Sequence, residues 1–263
     1  MTQSDYEYRG LIAASWDLLR GDTTQWPDRS FYKNLIDESG QPVLDVGCGT
    51  GRLLLDYLAD GVDIDGVDNS PEMLALCREK AEKLGLQPTL YEQDMASLDL
   101  PRKYRTIIVP SSSFQLVIDL EAAAEAMKRF YGHLEPGGTL AMPFMILWTE
   151  PTTESVFAYK DWQQTGEKVR PEDGLTVRRW SRNGYDIPNQ LEHVHDRFEL
   201  LRHGVVVYTE DYSRSPGVRW YTREQSIALY EDAGFTDIRL FREFTSEPAT
   251  ETDTIWTVIG KRP

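Results

Sequence analysis

The sequence predicts an α/β protein built on an open, doubly wound sheet. Helices precede the first strand, and a block of antiparallel strands is inserted after the fifth. Three observations carry that expectation. Val43-Leu44-Asp45-Val46 is an apolar run with an embedded acid, followed by a Gly47-x-Gly49-x-Gly51 turn and the helix-like run Leu53-Leu54-Leu55. Two further apolar runs end in an acid, at Asp68 and Asp94. From Val156 to Tyr212 helical periodicity disappears and runs of strand composition take its place.

The glycine turn is the most specific of these. Closely spaced glycines let the backbone take positive φ and come near a ligand that a Cβ would exclude. The helix that follows aims its free N–H groups and positive dipole end at the same point. This is how anionic or nucleoside-bearing cofactors are held at the carboxyl edge of a parallel sheet. A dinucleotide fingerprint would need its third glycine where Arg52 stands, so the spacing argues against one. At the end of the second strand, Asp68 can accept both hydroxyls of a ribose. Asp94 and Met95 suit an adenine, the carboxylate accepting from the amine and the thioether packing on the ring.

The elements follow in order. Residues 5–20 read as a helix with Tyr8, Ile12, Ser15, Trp16 and Leu19 on one face, and a second helix lies near Ser30–Glu38. Ser70-Pro71-Glu72 opens a helix with a hydroxyl cap, a proline and an acid in its first turn. Thr106–Val109 is a strand ending at Pro110-Ser111, Leu120–Tyr131 a helix, and Thr139–Phe144 the fifth strand. In the β-rich block, Thr176–Ser181, Leu191–Leu200 and Val205–Tyr212 are strands, with a hairpin turn at Arg202-His203-Gly204. Thr222-Arg223-Glu224-Gln225 is a capping box. Ile238–Phe244 and Thr254–Gly260 close a seven-stranded sheet. The expected organisation is a helical lid over 1–40, a cofactor-binding core over 41–150, the antiparallel insertion over 151–218, and completion of the core sheet over 219–263.

With those residues in place, the chain resembles the class I S-adenosylmethionine-dependent methyltransferases, whose core is Rossmann-like. Asp45, Gly47, Gly49 and Gly51 match that family's first motif, Asp68 its ribose acid and Asp94-Met95 its adenine contact. Glu135-Pro136-Gly137-Gly138 matches the turn before its fifth strand, and Tyr221-Thr222 leading to Ala233-Gly234-Phe235 resembles its late helix. The likeness is greatest to the small-molecule branch that holds glycine/sarcosine and amino-sugar N-methyltransferases. The resemblance implies S-adenosylmethionine as cofactor, held by Asp45, Gly47, Cys48, Gly49 and Gly51. It extends the contacts to Asp68, Asn69, Met73, Asp94, Met95 and Ser111, with Trp16 closing from the lid. Where related lids carry Tyr-Asp-Leu this chain has Trp16-Asp17-Leu18, so stacking on the sulfonium replaces a hydroxyl contact.

Composition limits the partners. The formal charge of −15 opposes a phosphate backbone, so nucleic acid is not expected. No apolar stretch approaches the ~20 residues of a membrane span. Two cysteines, Cys48 in the turn and Cys77 on the next helix, form no framework and suggest a reducing cytoplasm. The histidines do not form a zinc site. His193 and His195 share a mixed, solvated strand face, and His133 is structural. No general base is identified.

The expected activity is therefore transfer of a methyl group from S-adenosylmethionine to N or O of a small molecule, with alignment rather than acid catalysis carrying it. Gln115, Trp148 and Tyr221 are the candidate acceptor contacts, and the insertion either roofs the acceptor pocket or forms a homodimer contact. The alternatives are a nucleotide-dependent oxidoreductase on a related sheet, and a catalytically silent cofactor-binding protein.

Overall fold

A computed structural model describes residues 7–146 and 158–263. Its main sheet has seven strands. These are β1 (Val43–Val46), β2 (Ile64–Asp68), β3 (Thr89–Glu92), β4 (Tyr104–Ile108), β5 (Leu134–Met145), β10 (Thr236–Arg242) and β11 (Ile255–Lys261). Their order is β10-β11-β5-β4-β1-β2-β3, parallel except where β11 pairs antiparallel with both β5 and β10. The chain winds outward from β1 through β2 to β3, then returns to β1's other side as β4. That reversal leaves a crevice at the carboxyl end of β1, where open α/β sheets bind ligands.

Helices α2 (Pro27–Ser39), α3 (Leu54–Ala59), α4 (Pro71–Leu84), α5 (Leu120–His133) and α6 (Arg223–Asp232) accompany the sheet. Several begin as the sequence dictates. Ser70 caps α4 by accepting from the Met73 amide at 3.1 Å, and Thr222 with Gln225 forms both bonds of the capping box on α6. Beside the sheet, Leu44, Val46, Phe114, Phe130, Phe144 and Trp256 belong to one continuous core. His133 is structural, as expected: its Nε2 accepts from the Leu100 amide at 2.9 Å, and Nδ1 lies 2.8 Å from the Arg129 carbonyl.

The insertion is a separate antiparallel sheet of β6 (Gln163–Val169), β7 (Thr176–Asp186), β8 (Leu191–Arg202) and β9 (Val205–Arg219). Its central hairpin turns at His203-Gly204, both at positive φ. The sequence reading missed β6. That strand is polar and largely exposed, an edge held by backbone pairing to β7, so it leaves no apolar alternation to read.

Helix α1 spans Gly10–Arg20, shorter than the 5–20 expected. Two tertiary bonds hold the preceding backbone extended. The Tyr8 carbonyl accepts from the Ser70 hydroxyl at 2.5 Å, and the Gly10 amide donates to Glu72 at 2.6 Å. The helix lies between the two sheets. Leu11 and Ile12 pack with Val177, Phe198, Leu200 and Tyr212 of the small sheet, while Asp17 faces the main domain.

Candidate active site

The carboxyl ends of β1, β2, β3 and β4 open into one cavity of about 320 Å³. Its floor is the glycine turn. The Gly47 amide donates to the Val67 carbonyl at 2.8 Å, and Gly47 sits at φ 71°. A Cβ there would lie 2.9 Å from Ser113 Cβ and Oγ, so only glycine lets the β4 loop approach. Gly49 also lines the cavity at φ 55° and donates its amide to Asp68 Oδ2 at 2.9 Å.

Asp68 does more than face the cavity. Its Oδ1 accepts from the Ser70 amide at 2.9 Å, so one carboxylate ties the end of β2 to the glycine turn and to the start of α4. Burial pushes this carboxyl up, against the backbone bonds that favour its charge. Asp45 is 2 % exposed, and its Oδ1 has no partner among the described residues. Desolvation drives its pKa up to about 7, although Arg52 opposes the shift. Arg52 itself is engaged by Asp28, with one bond at 3.0 Å.

Cys48, Asn69 and Met73 line the same space. So do Asp94 and Met95: Asp94 caps a short helical turn by accepting from the Ala96 amide at 2.8 Å, and Met95 is half-buried beside it. Ser111, at φ 56°, accepts from Arg20 at 3.2 Å, and Trp16 completes the wall from α1.

Three of the predicted residues stand elsewhere. Gly51 does not line the cavity. A Cβ there would meet Cys77 Sγ at 2.6 Å and Leu55 Cγ at 2.9 Å, so this glycine lets helix and turn pack closely. Gln115 is fully buried and not at the cavity. Its Nε2 donates to the carbonyls of Met145 and Arg219, and its Oε1 accepts from the Met145 amide at 2.8 Å. With those bonds made it is a brace between β5 and β9. Tyr221 is packed in the core between Phe114 and Phe144, with burial raising its phenol to about 12. Trp148 lies outside the described residues.

The sequence reading missed the machinery around α1. Asp17 accepts from Thr50 Oγ1 at 2.8 Å and pairs with Lys80 at 2.5 Å, clamping α1 to the glycine turn. Arg20 stacks on Trp16 and on Trp26, with its guanidinium carbon 5.0 and 4.8 Å from the ring centroids. The apolar run Leu116-Val117-Ile118 also lines the cavity, directly after the β4 loop that the sequence had singled out. No signal in the sequence marks Arg20, whose role depends on where α1 docks.

A second cavity of about 240 Å³ lies between α1 and the small sheet. Tyr8, Trp16 and Arg20 line both cavities, so the two share a wall. The small sheet contributes Arg179, Asp196, Phe198 and Arg214 here, whereas none of its described residues lines the first cavity. Strand alternation puts Arg178 and Trp180 on the opposite face, where Trp180 bonds Glu199 and Trp162, just before β6, packs on His195. His193 and His195 belong to that outer face and reach neither cavity.

Comparison with known proteins agrees with this geometry. Residues 43–138 match the methyltransferase domain family. A protein of Geobacillus sp. (strain WCH70), named as a methyltransferase, is 23 % identical over 228 residues, covering 85 % of this chain and 87 % of its own. The dTDP-3-amino-3,4,6-trideoxy-alpha-D-glucopyranose N,N-dimethyltransferase of Streptomyces venezuelae is 32 % identical over 139 residues, 53 % of each chain. This chain thus spans about half the length of that substrate-named relative. A solved S-adenosylmethionine-dependent methyltransferase from Clostridium acetobutylicum superposes with a TM-score of 0.69 at 20 % identity, covering 92 % of this chain and 93 % of that one, which shows the shared fold. The oxidoreductase alternative finds no support. The glycine turn thus lies in a methyltransferase domain spanning residues 43–138, and the relatives and structural neighbours of the chain are S-adenosylmethionine-dependent methyltransferases.

Proposed function

We propose that this enzyme methylates N or O of a small molecule that enters beside the Tyr8–Trp16–Arg20 wall, with the first cavity holding the cofactor. One observation carries this assignment. Eleven of the twelve residues named from the sequence as cofactor contacts, drawn from separate strand ends and from α1, line a single cavity. The partnerless Asp45 oxygen suits the cofactor's ammonium, Asp68 its ribose hydroxyls, and Asp94 with Met95 its adenine. The turn at Gly47, where a Cβ has no room, leaves the backbone free to approach.

The bound cofactor supplies a methyl group on a sulfonium, which departs as a neutral thioether and needs no general acid. What remains for the protein is alignment and exclusion of water. Helix α1 acts as the lid, its Asp17 clamp keeping Trp16 against the cavity. Trp16 and Tyr8 stand together in the cavity wall, packed edge-on, with the Arg20 guanidinium over Trp16. The charge of −15 supports a small-molecule acceptor over nucleic acid, and the two unpaired cysteines support a reducing compartment such as the cytoplasm. The exposed edge-strand segment Val205–Tyr208 supports a homodimer.

Titration with S-adenosylmethionine, followed by a methyl-release screen over amines, carboxylates and hydroxylated compounds, tests the assignment. Saturable binding that Asp68→Ala weakens is the expected result. A folded protein that does not bind the cofactor would overturn it.

A further inference from the structure

The second cavity has a charge pattern of its own. Its two carboxylates are already committed. Asp196, 1 % exposed, accepts from Arg179 Nε at 3.0 Å and Nη2 at 2.9 Å, and from Arg214 Nη2 at 3.2 Å. Glu7 pairs with Arg214. The third guanidinium, Arg20, has no carboxylate within ion-pair distance among the described residues. Its hydrogen bond is to the Ser111 hydroxyl, on the side of the first cavity, so this guanidinium stands in the wall that the two cavities share. Counting Arg20, the lining carries three guanidinium groups against two carboxylates.

The same wall holds polar atoms whose bonding is unmet. Ser15 Oγ and Arg214 Nε are buried and have no partner among the described residues. Buried polar groups left unpaired are costly, and a ligand's oxygen lone pairs would satisfy both. Ile12, Leu19 and Phe198 make the rest of the wall apolar. An ammonium would find no free carboxylate here and an excess of positive charge.

We infer that the second cavity binds a small monoanion, a carboxylate on a short apolar body, and that this is the anchoring group of the methyl acceptor. The inference rests on the proposed function for its link to methyl transfer. A single unmatched guanidinium neutralises one negative charge, so a carboxylate suits it and a dianionic phosphate does not. The committed acids serve a different end: they fix Arg179 and Arg214 in place, so the cavity is preorganised for a ligand.

The test uses the full-length enzyme saturated with S-adenosylhomocysteine, with benzoate, phenyl phosphate and benzylamine as calorimetric probes. Binding of S-adenosylhomocysteine is measured first, so failure there counts against the proposed function and not against this site. Benzoate is expected to bind saturably, and more tightly than either of the other probes. Thr165→Trp, at an exposed position on the cavity rim, should abolish benzoate binding and leave S-adenosylhomocysteine affinity unchanged. Ser15→Val should weaken benzoate about tenfold, again without affecting the cofactor product. Arg20→Gln should weaken benzoate by more than it weakens S-adenosylhomocysteine. Preference for benzylamine or phenyl phosphate, no benzoate binding to the loaded enzyme, or indifference to Thr165→Trp would each overturn the inference. A loss in Arg20→Gln confined to S-adenosylhomocysteine would assign that arginine to the cofactor alone and overturn it too.

Discussion

Asp68 and Gly49 are joined in the wall of the first cavity, the carboxylate Oδ2 accepting from the glycine amide at 2.9 Å. The residue that sequence logic assigns to a ribose is also a strut that holds the glycine turn in shape. Asp68→Ala should therefore weaken S-adenosylmethionine by one to two decades, about 1.5–3 kcal/mol, and also lower the melting temperature. Asp68→Asn keeps the volume but only one of the two acceptor oxygens, so it should recover part of the stability without recovering the affinity. Calorimetric titration and thermal unfolding of both variants distinguish the two roles. An unchanged dissociation constant in folded Asp68→Ala would remove this residue from the site.

Asp45 gives a pH signature. Its folded pKa is raised from 3.8 to about 7, chiefly by burial, so the folded protein binds this proton more tightly than the unfolded chain. The resulting stability is fully present below pH 3.8 and is lost as pH rises through about 7. The loss amounts to at most about 4 kcal/mol over that window, on the scale of 1.36 kcal/mol per unit. Asp45→Asn should lack this component, and denaturant unfolding of both proteins from pH 4 to pH 7.5 would show it. Cofactor binding should strengthen over pH 5.5–7 and release a proton, because an ammonium beside Asp45 favours the charged form. Calorimetry in two buffers of different ionisation enthalpy measures that release.

The Asp17–Thr50 bond at 2.8 Å couples α1 to the glycine turn. Asp17→Ala should raise the KM for S-adenosylmethionine several-fold with little change in melting temperature, since the lost bonds are part-exposed and worth about 1 kcal/mol. A double-mutant cycle with Thr50→Val should show less than additive loss. Full additivity would separate the helix from the turn.

Gln115 should behave as a structural residue. Gln115→Leu leaves the Met145 amide and two carbonyls unpaired in the interior, at about 2–4 kcal/mol by the usual cost of such groups. Urea unfolding would report this as a lower midpoint. Acceptor KM, measured on the folded fraction, should barely move. A large KM change at unaltered stability would return Gln115 to the acceptor site.

Where the sequence succeeded and where it did not follows from the range of the interactions. The glycine turn, the acids at the ends of β1 and β2, the acid following β3 and the caps of α4 and α6 are set within a few residues. Their φ angles, hydrogen-bond partners and apolar periods are therefore legible along the chain. Parallel pairing of β1 with both β2 and β4 then brings them to one crevice, so the first cavity could be assembled on paper. Other features depend on contacts between distant segments. Tyr8 and Arg20 gain their place only because Ser70, Glu72 and Glu210 hold α1 between the two sheets. Gln115 and Tyr221 look like site residues by position, and tertiary packing turned both inward, one onto backbone amides and carbonyls and one into an aromatic cluster. The face of the small sheet that meets α1 was likewise decided by packing. Alternation tells that Arg178 and Arg179 oppose each other, but only burial of Phe198 and Val177 against Leu11 and Ile12 determines which arginine enters the cavity.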